Sequence, residues 1–206
     1  MSIDIFTDDH HEVLREIINI AMGQAGAALA ELLDSFVKLS VPQTAIVESN
    51  QFYGIIADIL GDEQEITAVR QAFYNHLSGE AIAIYSQEGC RELHDLMGYE
   101  EEHSEHLERE LLLDMTNILI GACLNSISEQ LGGEIELHYS APSILCERTS
   151  FTVYFGQREV SWKYALFLKV AFRLEEKSFL SHVLVFMPEE SIERMRHDLD
   201  KWIEVL

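Results

Sequence analysis

Basic residues are scarce in this chain: 14 Lys and Arg stand against 36 Asp and Glu in 206 residues, a formal charge of −22. A field of that sign repels phosphate backbones and anionic lipid headgroups, which argues against nucleic acid and membrane surfaces as partners. Cysteine is scarce too. Cys90, Cys123 and Cys146 are odd in number and form no C-x-x-C pair, so neither a disulfide framework nor a thiolate zinc site is indicated, and a reducing cytoplasm fits best. Apolar runs such as Ala165–Leu168 are far too short to span a bilayer, and the first 13 residues, MSIDIFTDDHHEV, lack the basic start and apolar stretch of a signal peptide. A glycine-rich phosphate loop is missing, and the Ser and His residues are too scattered to nominate a hydrolase triad. What remains is a chain with 48% hydrophobic residues, enough to bury a substantial core.

Periodicity supplies the organisation. From about Asp8 to Leu33 apolar residues fall at Val13, Leu14, Ile17, Ile18, Ile20, Ala21, Ala25, Ala28 and Leu29, the spacing of a helix with one buried face, with Thr7 as its N-cap. A β-branched stretch from Val37 to Val47 follows. Pro42 interrupts it and favours an edge position or a bend, because proline cannot donate to a ladder. Strand signals recur at about 66–74 and 80–85, and a short helix at about 87–97 leads to Gly98. After an acidic connection at 99–106, a second long helix runs to about Leu131 and stops at Gly132-Gly133. Strand-like segments follow at about 134–141, 149–155, 160–173 and 179–187, and a final helix is expected to begin after Pro188, a residue suited to a first helical turn.

Set side by side, the halves repeat. "EIINIAMG" (16–23) aligns with "DMTNILIG" (114–121), placing Glu16 over Asp114, Asn19 over Asn117 and Gly23 over Gly121. Pro42 answers Pro142, and "AIYSQEGCRELHDL" (83–96) echoes the segment at 185–199. Three matches in order imply an internal duplication. The expected fold is α/β (α+β): one domain over 1–206 built of two repeats, about 1–98 and 103–206, with pseudo-two-fold symmetry, a mainly antiparallel central sheet and the two long helices packed on it.

On a helix turning about 100° per residue, Glu12, Glu16, Asn19, Gly23 and Gly26 form one stripe opposite the core-facing side. Glycine within a helix costs roughly 1 kcal/mol relative to alanine, so glycines beyond Asn19 suggest a surface lowered for a partner's close approach. The alternative is that Gly23 and Gly121 merely let a neighbouring element pack close. Repetition of the Asn with the same acidic and glycine neighbours favours the partner.

Glu16-x2-Asn19, followed by 22 residues and then Pro42, resembles the signature of the CheC/CheX/FliY phosphatases of bacterial chemotaxis. The resemblance covers nearly the full length. It implies hydrolysis of the aspartyl phosphate of a CheY-like response regulator, with Glu16 and Asn19 as the first catalytic site and Asp114 and Asn117 as the second. Glu12, Gly23, Gly26, Glu110 and Gly121 would contact the partner. Glu12 stands where the family has Asp or Ser, Asp114 stands where it has Glu, and 24 residues separate Asn117 from Pro142, so the second site is expected to act more weakly. The resemblance implies magnesium on the regulator and no cofactor bound by this chain, the deamidase CheD as a further candidate partner, and a monomer favoured over a dimer. The competing function is a non-catalytic module that sequesters or scaffolds a receiver domain; a generic dimerisation domain is a third reading.

Other groups carry less. His103-x2-His106 beside Glu102, Glu105 and Glu110 has metal-ligand spacing but lies in a solvated acidic run, so no metal site is expected. His10 and His11 read as an exposed first turn. Cys90 and Cys123 read as core fillers, as do Met115, Leu119, Trp162, Phe167 and Trp202.

Overall fold

The computed structural model describes residues 5–49, 51, 54, 58, 65–87, 89–90, 105–132, 136–150, 164–174 and 179–204. Helix α1 spans Asp8–Leu33, followed by strands β1 (Val37–Leu39), β2 (Gln43–Glu48), β3 (Glu65–Tyr74) and β4 (Gly79–Ser86). The second half gives α2 (Glu105–Gln130), β5 (His138–Tyr139), β6 (Ser143–Ser150), β7 (Tyr164–Leu174), β8 (Leu180–Pro188) and α3 (Glu189–Glu204). This is the mixed α/β architecture expected, with an antiparallel sheet and the long helices packed on it.

Among the described residues the eight strands form one sheet in which β7, β8, β4 and β3 lie side by side. Strands β1 and β2 pair with β7 at one end, and β5 and β6 pair with β3 at the other. Exchanging the halves reproduces this order, so each half's first two strands complete the sheet of the other half. The pseudo-two-fold axis passes through the β4–β8 contact, where Ile82 faces Leu184. The symmetry reaches individual hydrogen bonds. Ser40 N–H donates to the Ala171 carbonyl and Ser140 N–H to the Ala72 carbonyl, both at 2.9 Å. In return Ala171 N–H donates to Ser40 Oγ at 2.9 Å and Ala72 N–H to Ser140 Oγ at 3.0 Å. Ala72 and Ala171 are therefore equivalent positions.

One sheet face and the helices enclose the larger core, in which Leu14, Ile17, Ile18, Leu119, Ile120 and Phe172 are buried. Each such side chain contributes on the order of 1.5–3 kcal/mol. Val47, Ile66, Ile84, Phe167 and Leu184 form a second buried cluster. Helix α2 is long and apolar enough to cross a membrane by length and composition, yet its apolar residues are spent on this core, against α1 and the sheet.

Several expectations need correction. The strand expected at 149–155 is β6 at Ser143–Ser150, and 151–155 lie outside the described residues. Arg109 on α2 grips Glu147 through two bonds of 2.6 Å and Arg148 donates to Glu108, so the charges on this strand are matched. Between 134 and 141 the described strand is only His138–Tyr139. The last helix starts directly after Pro188, at Glu189, as expected, and Pro188 itself ends β8 opposite Ala165. The short helix expected at 87–97 lies largely outside the described residues, as does the 99–104 part of the acidic connection.

His10 is not exposed: it is 4% accessible. Thr7 N–H donates to its Nδ1 at 3.1 Å, completing a capping box at the start of α1. The proton must then sit on Nε2, which donates to Asp200 of α3 at 2.9 Å.

Candidate functional site

Helix α1 turns Val13, Leu14, Ile17, Ile18, Ala21 and Met22 into the core, which leaves Glu12, Glu16, Asn19 and Gly23 exposed. Glu16 and Asn19, three residues apart, are surface neighbours. A Cβ built on Gly23 would meet nothing within 4 Å among the described residues, so no packing demand from them explains the glycine. Gly26 differs: it is buried, and a Cβ there would lie 3.0 Å from the Leu39 side chain. The expectation that Gly26 faces a partner is corrected to a packing role, because β1 crosses the helix at that turn.

Helix α2 repeats the arrangement. Leu112, Met115, Leu119, Ile120 and Cys123 are buried, and Glu110, Asp114 and Asn117 are exposed. Gly121 is half-buried, and a Cβ built there would also meet nothing within 4 Å. Glu110 pairs with the highly exposed His106 at 3.4 Å. His103 lies outside the described residues, and among the described residues no group of three His, Cys, Asp or Glu side chains is placed to hold a metal.

The neighbours of the two asparagines are not alike. Beside Asn117, Thr116 donates to the Leu112 carbonyl at 2.7 Å and so accepts from the buried Tyr85 hydroxyl at 2.9 Å. Burial pushes the Tyr85 hydroxyl well above its ordinary pKa, so it remains a donor. Gln71 of β3, 1% accessible, donates from Nε2 to Asn117 Oδ1 at 2.8 Å and to the Ser140 carbonyl at 3.0 Å. On α1 the residue matching Thr116 is Ile18, buried in the larger core together with Met187, the counterpart of Tyr85. Among the described residues no side chain hydrogen-bonds the Asn19 amide. Sequence reasoning missed Gln71; the available signal was "RQAF" at 70–73 lying against "KVAF" at 169–172, a glutamine where the other repeat has valine.

The three cysteines are buried and form no disulfide. Burial pushes the Cys90 and Cys123 thiols up to about 12, so both stay protonated and unreactive, as core fillers should. Met115, Leu119 and Phe167 are buried and Trp202 is partly so, while Trp162 lies outside the described residues.

No family model matches the sequence, and no curated protein matches it. Solved structures do. A solved FliY structure from Thermotoga maritima is similar with 20% identity and a TM-score of 0.68, over 96% of this chain and 98% of that one. The FliM middle domain of H. pylori matches with 12% identity and a TM-score of 0.60, over 94% of this chain and 99% of that one; H. pylori FliM has also been solved in complex with FliG and with SpeE. CheX of Desulfovibrio desulfuricans matches with 9% identity and a TM-score of 0.55, over 84% and 99%. The fold is that of the CheC/CheX/FliY chemotaxis proteins, shared with the flagellar protein FliM.

Proposed function

We propose that this chain is a cytoplasmic phosphatase that hydrolyses the aspartyl phosphate of a CheY-like response regulator. The observation that carries the reading is the exposed Glu16–Asn19 face of α1, flanked by Gly23 over open space, on a fold shared with FliY and CheX. An acyl phosphate is already activated, and hydrolysis needs a water held in line with the bond from phosphorus to the leaving carboxylate oxygen. Water attacks phosphorus, that bond breaks, and aspartate and inorganic phosphate separate. Positioning is the service a protein surface supplies here.

An asparagine amide suits it, offering an acceptor and a donor without a charge that would repel the phosphoryl group. Glu16, one turn earlier, docks against the lysine near the phosphorylated aspartate, and Glu12 extends the acidic rim. Magnesium belongs to the regulator. Asp114 and Asn117 form a second docking face, and the chain acts as a monomer with two unequal sites. CheD is a further partner of this reading.

The FliM neighbours favour one competing reading, a module that binds a protein partner without hydrolysis. Turnover separates the two. With the protein at a small fraction of the concentration of a phosphorylated CheY-type regulator from the same organism, a catalyst accelerates decay of the whole pool and Asn19→Ala removes most of the acceleration. Unchanged decay, with the two proteins still associating, would leave only the binding module.

A further inference from the structure

We infer that Gln71 is a positioning residue that locks the Asn117 amide with its carbonyl inward, so that Asn117 presents only its NH2 to a partner, and that Asn19 is left as the amide able to orient the attacking water. The inference rests on the proposed phosphatase reading for its chemistry and on the hydrogen bonds for its geometry.

A backbone carbonyl can only accept, so the Ser140 oxygen, 3.0 Å away, fixes which end of the Gln71 amide is the nitrogen. That nitrogen has only protons to offer, so the Asn117 atom 2.8 Å from it must be the oxygen. The Asn117 NH2 is thereby turned away from Gln71, on an exposed residue. Fixing the amide this way strands Gln71 Oε1, which is buried with no hydrogen-bond partner among the described residues. Buried acceptors are rarely left so, and an orphan of this kind calls for an explanation. Aiming both Gln71 protons at Asn117 and Ser140 supplies one.

Orientation of the amide decides what it does to a water. For in-line attack the water oxygen must turn a lone pair toward phosphorus, so its protons point at an acceptor such as Oδ1. An NH2 group in that place instead donates to the lone pair that attack requires. It remains a good partner for the phosphoryl oxygens themselves, so the locked face binds the phosphoryl group but activates water only weakly. The other repeat has no such lock. Since Ala72 and Ala171 occupy equivalent positions between Ser140 and Ser40, the residue matching Gln71 is Val170, which has no amide to donate. Asn19 is free to present its carbonyl.

The test uses the full chain with a CheY-type receiver phosphorylated by acetyl phosphate. Asn19→Ala should leave slow turnover from the second face. Adding Gln71→Leu, close in volume and unable to donate, should raise that turnover about tenfold by freeing Oδ1. Adding Asn117→Ala should abolish the gain. A gain is a readout that structural damage does not produce; if Gln71→Leu leaves the slow rate unchanged while Asn19 proves catalytic, the inference is overturned. A second measurement needs no hydrolysis. In side-chain amide NMR of the wild type, both Gln71 Nε2 protons should exchange slowly, and Asn117→Ala should release one of them. Fast exchange of both would overturn the lock whatever the kinetics. Should neither face hydrolyse the phosphate, the phosphatase reading fails by itself and the amide exchange decides the lock.

Discussion

Helices α1 and α2 occupy equivalent places in one symmetric sheet, yet they are fastened to it by different chemistry. Around Asn117 the contacts are polar, with Tyr85 donating to Thr116 and Gln71 donating to Asn117 itself. Around Asn19 the matching residues are apolar, with Ile18 and Met187 in the buried core. The helix starts differ as well. His10 ties α1 to Asp200, whereas Arg109 and Arg148 tie α2 and β6 together through Glu147 and Glu108. Duplication has kept the backbone hydrogen bonds that build the sheet and let the surroundings of the motif residues diverge. The same Asn on the same helix face therefore does not guarantee the same chemistry, because a strand beneath it decides which amide atom is presented.

The largest expected effect comes from changing the free amide. Asn19→Asp keeps the size but places a like charge against the phosphoryl group, and turnover should fall about 10²-fold, on the order of 2.7 kcal/mol in the barrier. At Asn117 the same change preserves an acceptor for Gln71, so Asn117→Asp should leave the unfolding midpoint near wild type and turnover nearly unchanged. Equal loss of turnover in the two variants would erase the distinction between the faces.

The glycines offer a second contrast. A Cβ at Gly79 would lie 2.1 Å from the Phe186 carbonyl oxygen and 2.8 Å from the Phe73 ring, inside the β4–β8 seam where backbone cannot yield. Gly79→Ala should cost about 2 kcal/mol or more in urea unfolding.

The sheet's symmetry also breaks in charge. On β3 and β4, Arg70 pairs with Glu80 at 3.2 Å, and the matching positions on β7 and β8 hold Lys169 and His182. Burial first, and the Lys169 charge second, lower the His182 pKa from 6.5 to about 4. Above pH 6.5 the imidazole is neutral whether the chain is folded or not. As the pH falls toward 4, the unfolded chain takes up a proton that the folded one resists, so stability declines by up to about 1.4 kcal/mol per pH unit. His182→Gln should flatten that part of the unfolding profile relative to wild type, and an unaltered slope would rule His182 out as its source.

The smallest effect is the most informative about the open glycines. With nothing within 4 Å of a Cβ at either Gly23 or Gly121, alanine at each should stabilise the chain by up to about 1 kcal/mol. If Gly23 clears room for a receiver, Gly23→Ala should nonetheless weaken receiver binding in calorimetry. A stabilised variant that binds normally would show that the glycine has no docking role.

Much of the fold is legible in the sequence. The period of the apolar residues placed α1 within its observed bounds, and Pro42 marked the end of the sheet where β1 and β2 meet β7. Long-range partners were not legible. The burial of His10 depends on Asp200, 190 residues away, and that of Gly26 on β1 crossing the helix at Leu39. Gln71 reads as one polar residue in a strand until the register carries it beneath Asn117. Helical spacing tells which residues share a face, and it says nothing about what crosses that face.

The most direct measurement sets Asn19→Ala beside Asn117→Ala in one assay of phosphorylated-receiver decay, with each variant far below the receiver concentration. Loss of most of the acceleration in Asn19→Ala, with Asn117→Ala close to wild type, is the predicted result. Equal loss in both, or the larger loss in Asn117→Ala, would contradict the assignment of catalysis to α1.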